Sequence, residues 1–106
     1  MSDITVDKVI EKLPHRFQAD AAQDLETVFQ FMLDDSTDFY IEIGDGQCRT
    51  EKGEHPDPNV TLITDADTFI RVVNGEQDGM GAFLKGQLRA EGNVMLATKL
   101  GKLFRR

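Results

Sequence analysis

The sequence predicts one domain of the α+β class, in which about five β-strands are combined with four helices. Apolar and polar residues alternate through much of residues 25–64, as in consecutive half-buried strands. On either side of that stretch, apolar residues recur three and four positions apart, as in amphipathic helices. A chain of 106 residues can bury one hydrophobic core but not two. We therefore expect a single domain over residues 1–106.

The first helix is predicted near the N-terminus. Its apolar positions follow the i, i+3, i+4, i+7 spacing and are Val6, Val9, Ile10 and Leu13. Thr5 is suited to cap its start, because a threonine side chain can accept from the first free backbone N–H groups. Pro14 is expected to end the helix, since proline has no backbone N–H to donate.

Four strands are predicted next. In residues 25–33, apolar side chains occur on both faces, so this strand is expected to be covered on both sides. Residues 39–43 and 47–52 flank Asp45-Gly46, a dipeptide that favours a tight hairpin because both residues tolerate positive φ. Residues 59–64 are rich in β-branched side chains and form the fourth strand. We expect these four strands to form a meander.

Two helices, a strand and a last helix complete the predicted order. Helical spacing returns at residues 69–73, with a cap at Thr64 or Asp65 and an end at residues 74–75. Asp78 is expected to cap a short helix that ends at Gly86, and residues 88–91 form a fifth strand. Asn93 caps the last helix. Its apolar stripe consists of Leu96, Leu100, Leu103 and Phe104.

The charge of the chain is negative and unevenly distributed. A net charge of −7 and a pI of about 4.7 argue against nucleic acid as a partner, because phosphate contacts require a basic surface. Residues 1–78 contain 18 acidic and six basic residues, whereas residues 79–106 contain one acidic and six basic residues. The C-terminal quarter therefore has a net charge of +5 and the remainder −12.

The residues that commonly carry catalysis or bind metals do not form a recognisable motif. The only histidines are His15, beside a proline, and His55, in a proline-rich loop. Cys48 is the single cysteine, so neither an internal disulfide nor a cysteine-based zinc site can form. Residues 34–38 lack the glycine and glutamate of a calcium loop, and residues 79–84 lack the third glycine of a dinucleotide site. We expect no cofactor, no metal and no catalytic residues.

Large flexible apolar side chains are concentrated late in the chain. They are Met80, Phe83, Leu84, Met95, Leu96, Leu100, Leu103 and Phe104. These side chains suit an ordinary core, and they equally suit a pocket for an apolar ligand of variable shape, because methionine adapts to irregular partners. Periodicity alone does not choose between the two.

Several segments together resemble the sterol carrier protein type 2 family. The pattern consists of a helix opening, a Phe-x-x-Gly turn, a short strand, a Gly-Asn cap and a leucine-rich last helix. It is carried by residues 64–67, Gly75, residues 79–93 and residues 96–100, with Leu13-Pro14-x-x-Phe17 and Val28-x-Phe-x-Phe31 fitting near the N-terminus. The resemblance implies a sheet of about five strands, covered by helices on one side, that encloses an apolar tunnel. Its implied ligands are fatty acids, acyl-CoA, sterols or isoprenoid lipids.

On this basis we expect a non-enzymatic, soluble and cytoplasmic protein that binds or transports a lipid-like ligand. The predicted lining of the tunnel is Phe29, Phe31, Ile41, Phe69, Met80, Phe83, Met95, Leu96, Leu100 and Phe104. The alternative is an accessory subunit that docks a lipid- or quinone-modifying enzyme, with its pocket collapsed into core. A hydrolase is disfavoured because no nucleophile is paired with a base. The basic C-terminal quarter either complements the dipole of the last helix or makes transient contact with an anionic membrane.

Overall fold

The computed structural model describes residues 6–22, 24–34, 38–74, 76–97, 99 and 103. Its helices are α1 (Val6–Arg16), α2 (Ala66–Val73), α3 (Gly79–Leu84) and α4 (Val94–Ala97), with a short 3-10 helix at Ala19–Ala22. Its strands are β1 (Thr27–Leu33), β2 (Phe39–Gly44), β3 (Gln47–Lys52), β4 (Val60–Thr64) and β5 (Arg89–Gly92). The predicted order of helices and strands is confirmed. Leu100 and Phe104, on the predicted stripe of the last helix, lie outside the described residues.

The five strands form one mixed sheet in the order β3-β2-β1-β4-β5. β1, β2 and β3 are antiparallel neighbours, but β4 lies parallel to β1 and β5 is antiparallel to β4. The predicted meander of four strands is therefore wrong. β3 alternates between exposed and half-buried residues, which suits the edge of a sheet, whereas β1 is largely buried and takes the central position.

One face of the sheet, the helix face, carries the hydrophobic core. Cross-strand register places Phe29 beside Ile41 and Val60, and Phe31 beside Phe39 and Leu62. The core is completed by Val9, Ile10 and Leu13 of α1, Phe69 of α2, and Leu103. Within the described part of the chain, no helix is long and apolar enough to cross a membrane.

The opposite, outer face carries a buried amide at Gln30, which is 3% exposed. Its Nε2 donates to the carbonyl oxygens of Phe39 at 3.1 Å and Gly53 at 3.0 Å, and its Oε1 accepts from the backbone N–H of His55 at 2.7 Å. The ring of Tyr40, also on this face, meets that of His55 edge-on at 5.1 Å. These contacts fix residues 53–59, the crossover loop, across the outer face, and the loop brings the chain from the sheet edge back to β4.

The hairpin between β2 and β3 has the predicted turn. Asp45 and Gly46 have φ values of 54° and 72°, and Gly44 pairs with Gln47 across them. Two successive positive φ values match the right-handed twist of the flanking strands. The antiparallel pairing expected from the Asp-Gly dipeptide is confirmed.

α1 does not end at Pro14, as predicted, but continues to Arg16. Pro14 removes the hydrogen bond that the carbonyl of Ile10 would accept, and the hydroxyl of Thr50 on β3 donates to that carbonyl instead, at 3.3 Å. The last turn is also held from outside, because the Arg16 guanidinium donates to the Val73 carbonyl at 3.1 Å. Distant residues therefore replace what proline removes.

The predicted caps of α2 and α3 are confirmed. Asp65 accepts from the backbone N–H of Thr68 at 3.3 Å and from its hydroxyl at 2.5 Å. The second contact helps to hold the pKa of the Asp65 carboxyl below its usual range. Asp78 accepts from the N–H of Gly81 at 3.1 Å. Both carboxylates satisfy N–H groups that a helix start leaves free.

We expect Gly92→Ala to destabilise the protein far more than Gly53→Ala. Both glycines have positive φ, 94° and 108°, so either alanine adds backbone strain of about 1–3 kcal/mol. A Cβ at Gly92 would also lie 2.7 Å from the Asn59 carbonyl oxygen, whereas a Cβ at Gly53 meets no atom within 4 Å. Thermal unfolding of both variants measures the difference. An equal loss of stability in the two variants would show that the Asn59 carbonyl oxygen leaves room for a Cβ at residue 92.

Gln30→Met should lower the free energy of unfolding by about 2–4 kcal/mol, because a thioether of similar size leaves the buried hydrogen-bonding groups of the crossover loop without their partner. Gln47→Met is the matched control. Gln47 is exposed, so the same exchange there should change stability by less than about 0.5 kcal/mol. Urea titration compares the two variants, and a Gln30→Met variant as stable as the control would contradict the role given to the amide.

Candidate functional site

Four of the predicted lining residues lie on the core side of the sheet. Phe29, Phe31, Ile41 and Phe69 are 0–3% exposed. Phe31 stacks on Phe39 with ring centroids 4.8 Å apart, and Phe69 meets these two rings edge-on at 5.1 and 5.2 Å. Sequence reasoning did not include Phe39 in the lining. Its alternation with Ile41 was the available signal, since residues two apart on a strand share a face.

α3 supplies two predicted lining residues on a largely exposed helix. Asp78 caps the start of the helix, and within the helix Ala82 is fully buried. The backbone N–H groups of Gln87 and Leu88 both donate to the Ala82 carbonyl, at 2.9 and 3.2 Å, and fold the chain back towards β5. The remaining apolar side chains of the helix are exposed: Met80 at 46%, Phe83 at 42% and Leu84 at 76%.

α4 supplies two more predicted residues, which face in different directions. The N–H of Asn93 donates to the Asn59 carbonyl at 2.9 Å, which fixes the start of the helix against the start of β4. Met95 is 69% exposed and its neighbour Val94 is 44% exposed. Leu96, in contrast, is half-buried and packs against the core.

We refer to the exposed apolar side chains of α3 and α4 together as the C-terminal apolar surface. It consists of Met80, Phe83, Leu84, Val94 and Met95, all the large hydrophobic residues that are exposed in the described part of the chain. α3 precedes the short edge strand β5 in the chain, and α4 follows it. Leu88, Ala90 and Leu96, from the same part of the chain, are partly buried against the core cluster.

The predicted lining therefore divides into a buried group on the helix face and an exposed group on α3 and α4, linked by Leu96. The structure does not bring Met80, Phe83 and Met95 into the core beside the phenylalanines. The remaining two predicted residues, Leu100 and Phe104, lie outside the described residues. An enclosed tunnel that joins the two groups stays a prediction.

Two weakly polar groups, the Thr27 hydroxyl and the Cys48 thiol, belong to residues on either side of Ile43 in the sheet. Thr27 of β1 pairs with Ile43 of β2, and Ile43 pairs with Cys48 of β3. Thr27 is 4% exposed, and its hydroxyl has no hydrogen-bond partner among the described residues. Burial raises the pKa of the half-buried Cys48 thiol to about 11. The thiol is therefore protonated at neutral pH and is a poor nucleophile.

The two histidines lie in different parts of the fold. His15 lies in the last turn of α1, and His55 lies in the crossover loop, where its Nδ1 accepts from the backbone N–H of Asp57 at 3.0 Å. No group of three or more His, Cys, Asp or Glu side chains suited to a metal ion occurs in the ranges that the structure describes.

An open depression lies near the turn between β2 and β3. Its rim includes the Glu42–Arg49 ion pair, with 3.0 Å between oxygen and nitrogen. Other lining residues are Glu26, Thr27, Val28, Ile43, Gly44, Asp45, Gln47, Cys48 and Asn59. Four of the eleven lining residues are charged and the depression is open to solvent, so we take the C-terminal apolar surface as the better candidate for an apolar ligand.

Curated proteins with similar sequences include domains of longer chains. Hydroxysteroid dehydrogenase-like protein 2 of Xenopus tropicalis is 27% identical over 100 residues, which cover 92% of this chain and 23% of that protein. The chain spans less than a quarter of the length of the curated relatives that it matches.

Solved structures share the fold. The sec-alkylsulfatase Pisa1 from Pseudomonas sp. superposes with a TM-score of 0.88 and 18% identity, over 97% of this chain and 17% of that one. Palmitated SCP2L2 from Aedes aegypti superposes with a TM-score of 0.74 and 19% identity, over 97% of this chain and all of that one. The model of the SCP-2 sterol transfer family matches residues 8–105. With this match over nearly its whole length, the five-stranded chain belongs to the SCP-2 sterol transfer family.

Proposed function

We propose that this chain is a non-catalytic carrier of apolar, lipid-like ligands of the fatty acid, acyl-CoA, sterol or isoprenoid class. The ligand is held in a tunnel between the helix face and the C-terminal apolar surface. Family membership supports a lipid-binding role. The observation that carries the proposal is that all exposed large hydrophobic residues of the described chain belong to α3 and α4.

Binding of an apolar ligand would remove these exposed apolar side chains from water, which is favourable in free energy. Covering apolar surface gains roughly 25 cal/mol per Å² that is removed from water. The side chains concerned are Met80, Phe83 and Met95, and none of them requires a matching charge on the ligand. Long methionines adapt to ligands of different shape, so the proposal includes broad selectivity. The solved structure of palmitated SCP2L2, which shares the fold, supports a fatty-acyl ligand.

A non-catalytic role is supported by the state of the candidate nucleophile. The only cysteine has a raised thiol pKa, and the acceptor nitrogen of His55 is occupied by the Asp57 N–H. Cys48 and His55 therefore do not form the pair of activated nucleophile and neighbouring base that covalent catalysis needs. The single free thiol also fits our proposal that the protein works in the cytoplasm, where thiols stay reduced.

The second candidate function is an accessory role beside a lipid- or quinone-modifying enzyme. It is favoured by the fact that the chain covers only 17% of the alkylsulfatase and 23% of the dehydrogenase-like protein, so that similar folds occur within longer chains named as enzymes. A native mass spectrum of the protein as isolated separates the two functions. A bound lipid supports the carrier, whereas a ligand-free protein that also fails to take up added fatty acid favours the accessory role.

Phe83→Glu should weaken binding of a fluorescent fatty acid at least tenfold while the fold is retained. Phe83 is already 42% exposed, so water can hydrate the new carboxylate in the free protein. A bound acyl chain would remove that water and leave the charge unpaired. Fluorescence titration measures the affinity, and circular dichroism checks the fold.

Gln47→Glu is the control, because it adds the same charge at an exposed residue of β3, outside both the predicted lining and the C-terminal apolar surface. It should bind within about twofold of the wild type. The proposal is wrong if the wild type shows no saturable binding, or if the Phe83→Glu variant binds as the wild type does.

Cys48 should react slowly with a thiol reagent in the folded protein at pH 8. A rise in its pKa from 9.0 to about 11 lowers the thiolate fraction about a hundredfold, because pH 8 lies below both values. Unfolding in guanidinium should restore the rate of an ordinary thiol. Absorbance after addition of an aromatic disulfide reagent follows both reactions. Equal rates in the folded and unfolded protein would remove this argument against a cysteine nucleophile.

A further inference from the structure

We propose that the hydroxyl of Thr27 binds the uncharged hydroxyl group of a long-chain lipid, and that this contact selects alcohols over fatty acids. The inference rests on the proposed carrier function and adds to it the chemistry of the polar end of the ligand. Three features of the molecule support it: the position of Thr27 on the helix face, its unpaired hydroxyl, and surroundings that disfavour a negative charge.

Thr27 lies beside the buried group of predicted lining residues. Its side chain shares a face of β1 with Phe29 and Phe31, since residues two apart on a strand point to the same side. Across the sheet it pairs with Ile43, which lies two positions from Ile41 on β2. An apolar chain that contacts Phe29 and Ile41 and runs towards the start of β1 therefore ends at Thr27.

The Thr27 hydroxyl is buried and unpaired. The residue is 4% exposed, and its hydroxyl has no hydrogen-bond partner among the described residues. Thr64 is equally buried on the same face, but its hydroxyl donates to the Gln87 carbonyl at 2.8 Å. A buried polar group without a partner is unfavourable, and a ligand that brings a donor and an acceptor would remove that penalty at Thr27.

A lipid hydroxyl suits this position better than a buried water molecule, which needs two to four polar partners. The neighbours of Thr27 on the helix face are Phe29 along the strand and Ile43 across the sheet, and both are apolar. A lipid brings an apolar chain that packs favourably against such side chains. Its hydroxyl and that of threonine can each donate and accept, so the two groups are complementary.

An anionic end group is disfavoured by the low polarity of this end of the helix face. Cys48 lies beyond Ile43 on the same face, and burial raises the pKa of its thiol to about 11. A cation or a set of N–H donors placed to hold a carboxylate here would also stabilise a thiolate and oppose that rise. An ionised carboxylate beside Thr27 would therefore be poorly compensated.

The charge of the open depression near the β2–β3 turn acts in the same direction. Thr27 and Cys48 both line the depression, so it adjoins this end of the sheet. Of the described residues that line it, four are charged and three of these are acidic. The cation, Arg49, is paired with Glu42 at 3.0 Å. A carboxylate near Thr27 would be repelled by this surface, whereas an alcohol would not.

The test measures how dodecan-1-ol, dodecanoate and dodecane displace a fluorescent fatty acid from delipidated protein at pH 8, after direct titration of the reporter with each variant. Wild-type protein should bind dodecan-1-ol about tenfold more tightly than dodecanoate, because the carboxylate is uncompensated. Thr27→Val keeps the shape of the side chain and should weaken dodecan-1-ol about fivefold, as expected for one hydrogen bond. Binding of dodecane should change by less than about twofold.

Thr64→Val is the matched control, since Thr64 pairs with Leu33 at the opposite end of β1. It should leave the affinity for dodecan-1-ol within about twofold of the wild type. It should also lower the melting temperature by about 4–8 °C, because the bond to Gln87 is lost. Thr27→Val should melt at or above the wild-type temperature, because it removes no hydrogen bond from the delipidated protein.

Two binding results would overturn this proposal alone: a Thr27→Val variant that binds dodecan-1-ol as the wild type does, or wild-type protein that binds dodecanoate as tightly as dodecan-1-ol. A melting temperature lowered by Thr27→Val as much as by Thr64→Val would assign the hydroxyl to a partner within the protein and also overturn it. Wild-type protein that binds neither the reporter nor any of the three compounds would overturn the carrier function and, with it, this proposal.

Discussion

The side-chain amide of Gln30 connects three parts of the chain that are distant in sequence. It lies on the central strand, donates to the backbone of β2 and of residue 53, and accepts from the backbone of His55. A buried amide is stabilising only when its donors and acceptor are satisfied together, and the crossover loop supplies two of these partners. The loop is thereby held across the outer face and delivers the chain to the open edge of β1, where β4 can pair in parallel.

The position of β4 in turn determines where the C-terminal quarter lies. β5 pairs with β4, and the approach of Gly92 to Asn59 brings the start of α4 next to the start of β4. α3 and α4 therefore lie before and after a short edge strand in the chain; Ala82 of α3 is buried, and Leu96 of α4 packs against the core. The large apolar side chains Met80, Phe83, Leu84, Val94 and Met95 remain exposed, and they carry the proposed function.

Features with a local cause could be predicted from the sequence. The Asp45-Gly46 turn and the caps at Asp65 and Asp78 depend on residues within three positions of one another, and each was confirmed. Features that depend on distant partners could not. Nothing near Pro14 indicates that the Thr50 hydroxyl will replace its missing hydrogen bond, and strand alternation does not say which neighbour β4 will choose. The predicted lining is divided for the same reason, because helical spacing does not show that Ala82 is the buried residue of α3 while Met80 and Phe83 are exposed.

The parallel pairing of β1 with β4 also has a consequence for the order of folding. Phe29 and Val60 are neighbours in the sheet but 31 positions apart in the chain, whereas the β2–β3 hairpin closes over two residues. Contacts between distant positions require a larger loss of chain entropy before they become favourable, so they slow folding. We expect the three antiparallel strands to assemble first. β4, followed by α3, β5 and α4, then joins once the crossover loop has closed. Until that step, a nascent chain would expose the apolar residues through which β1 and β4 pair, among them Phe29, Phe31 and Leu62.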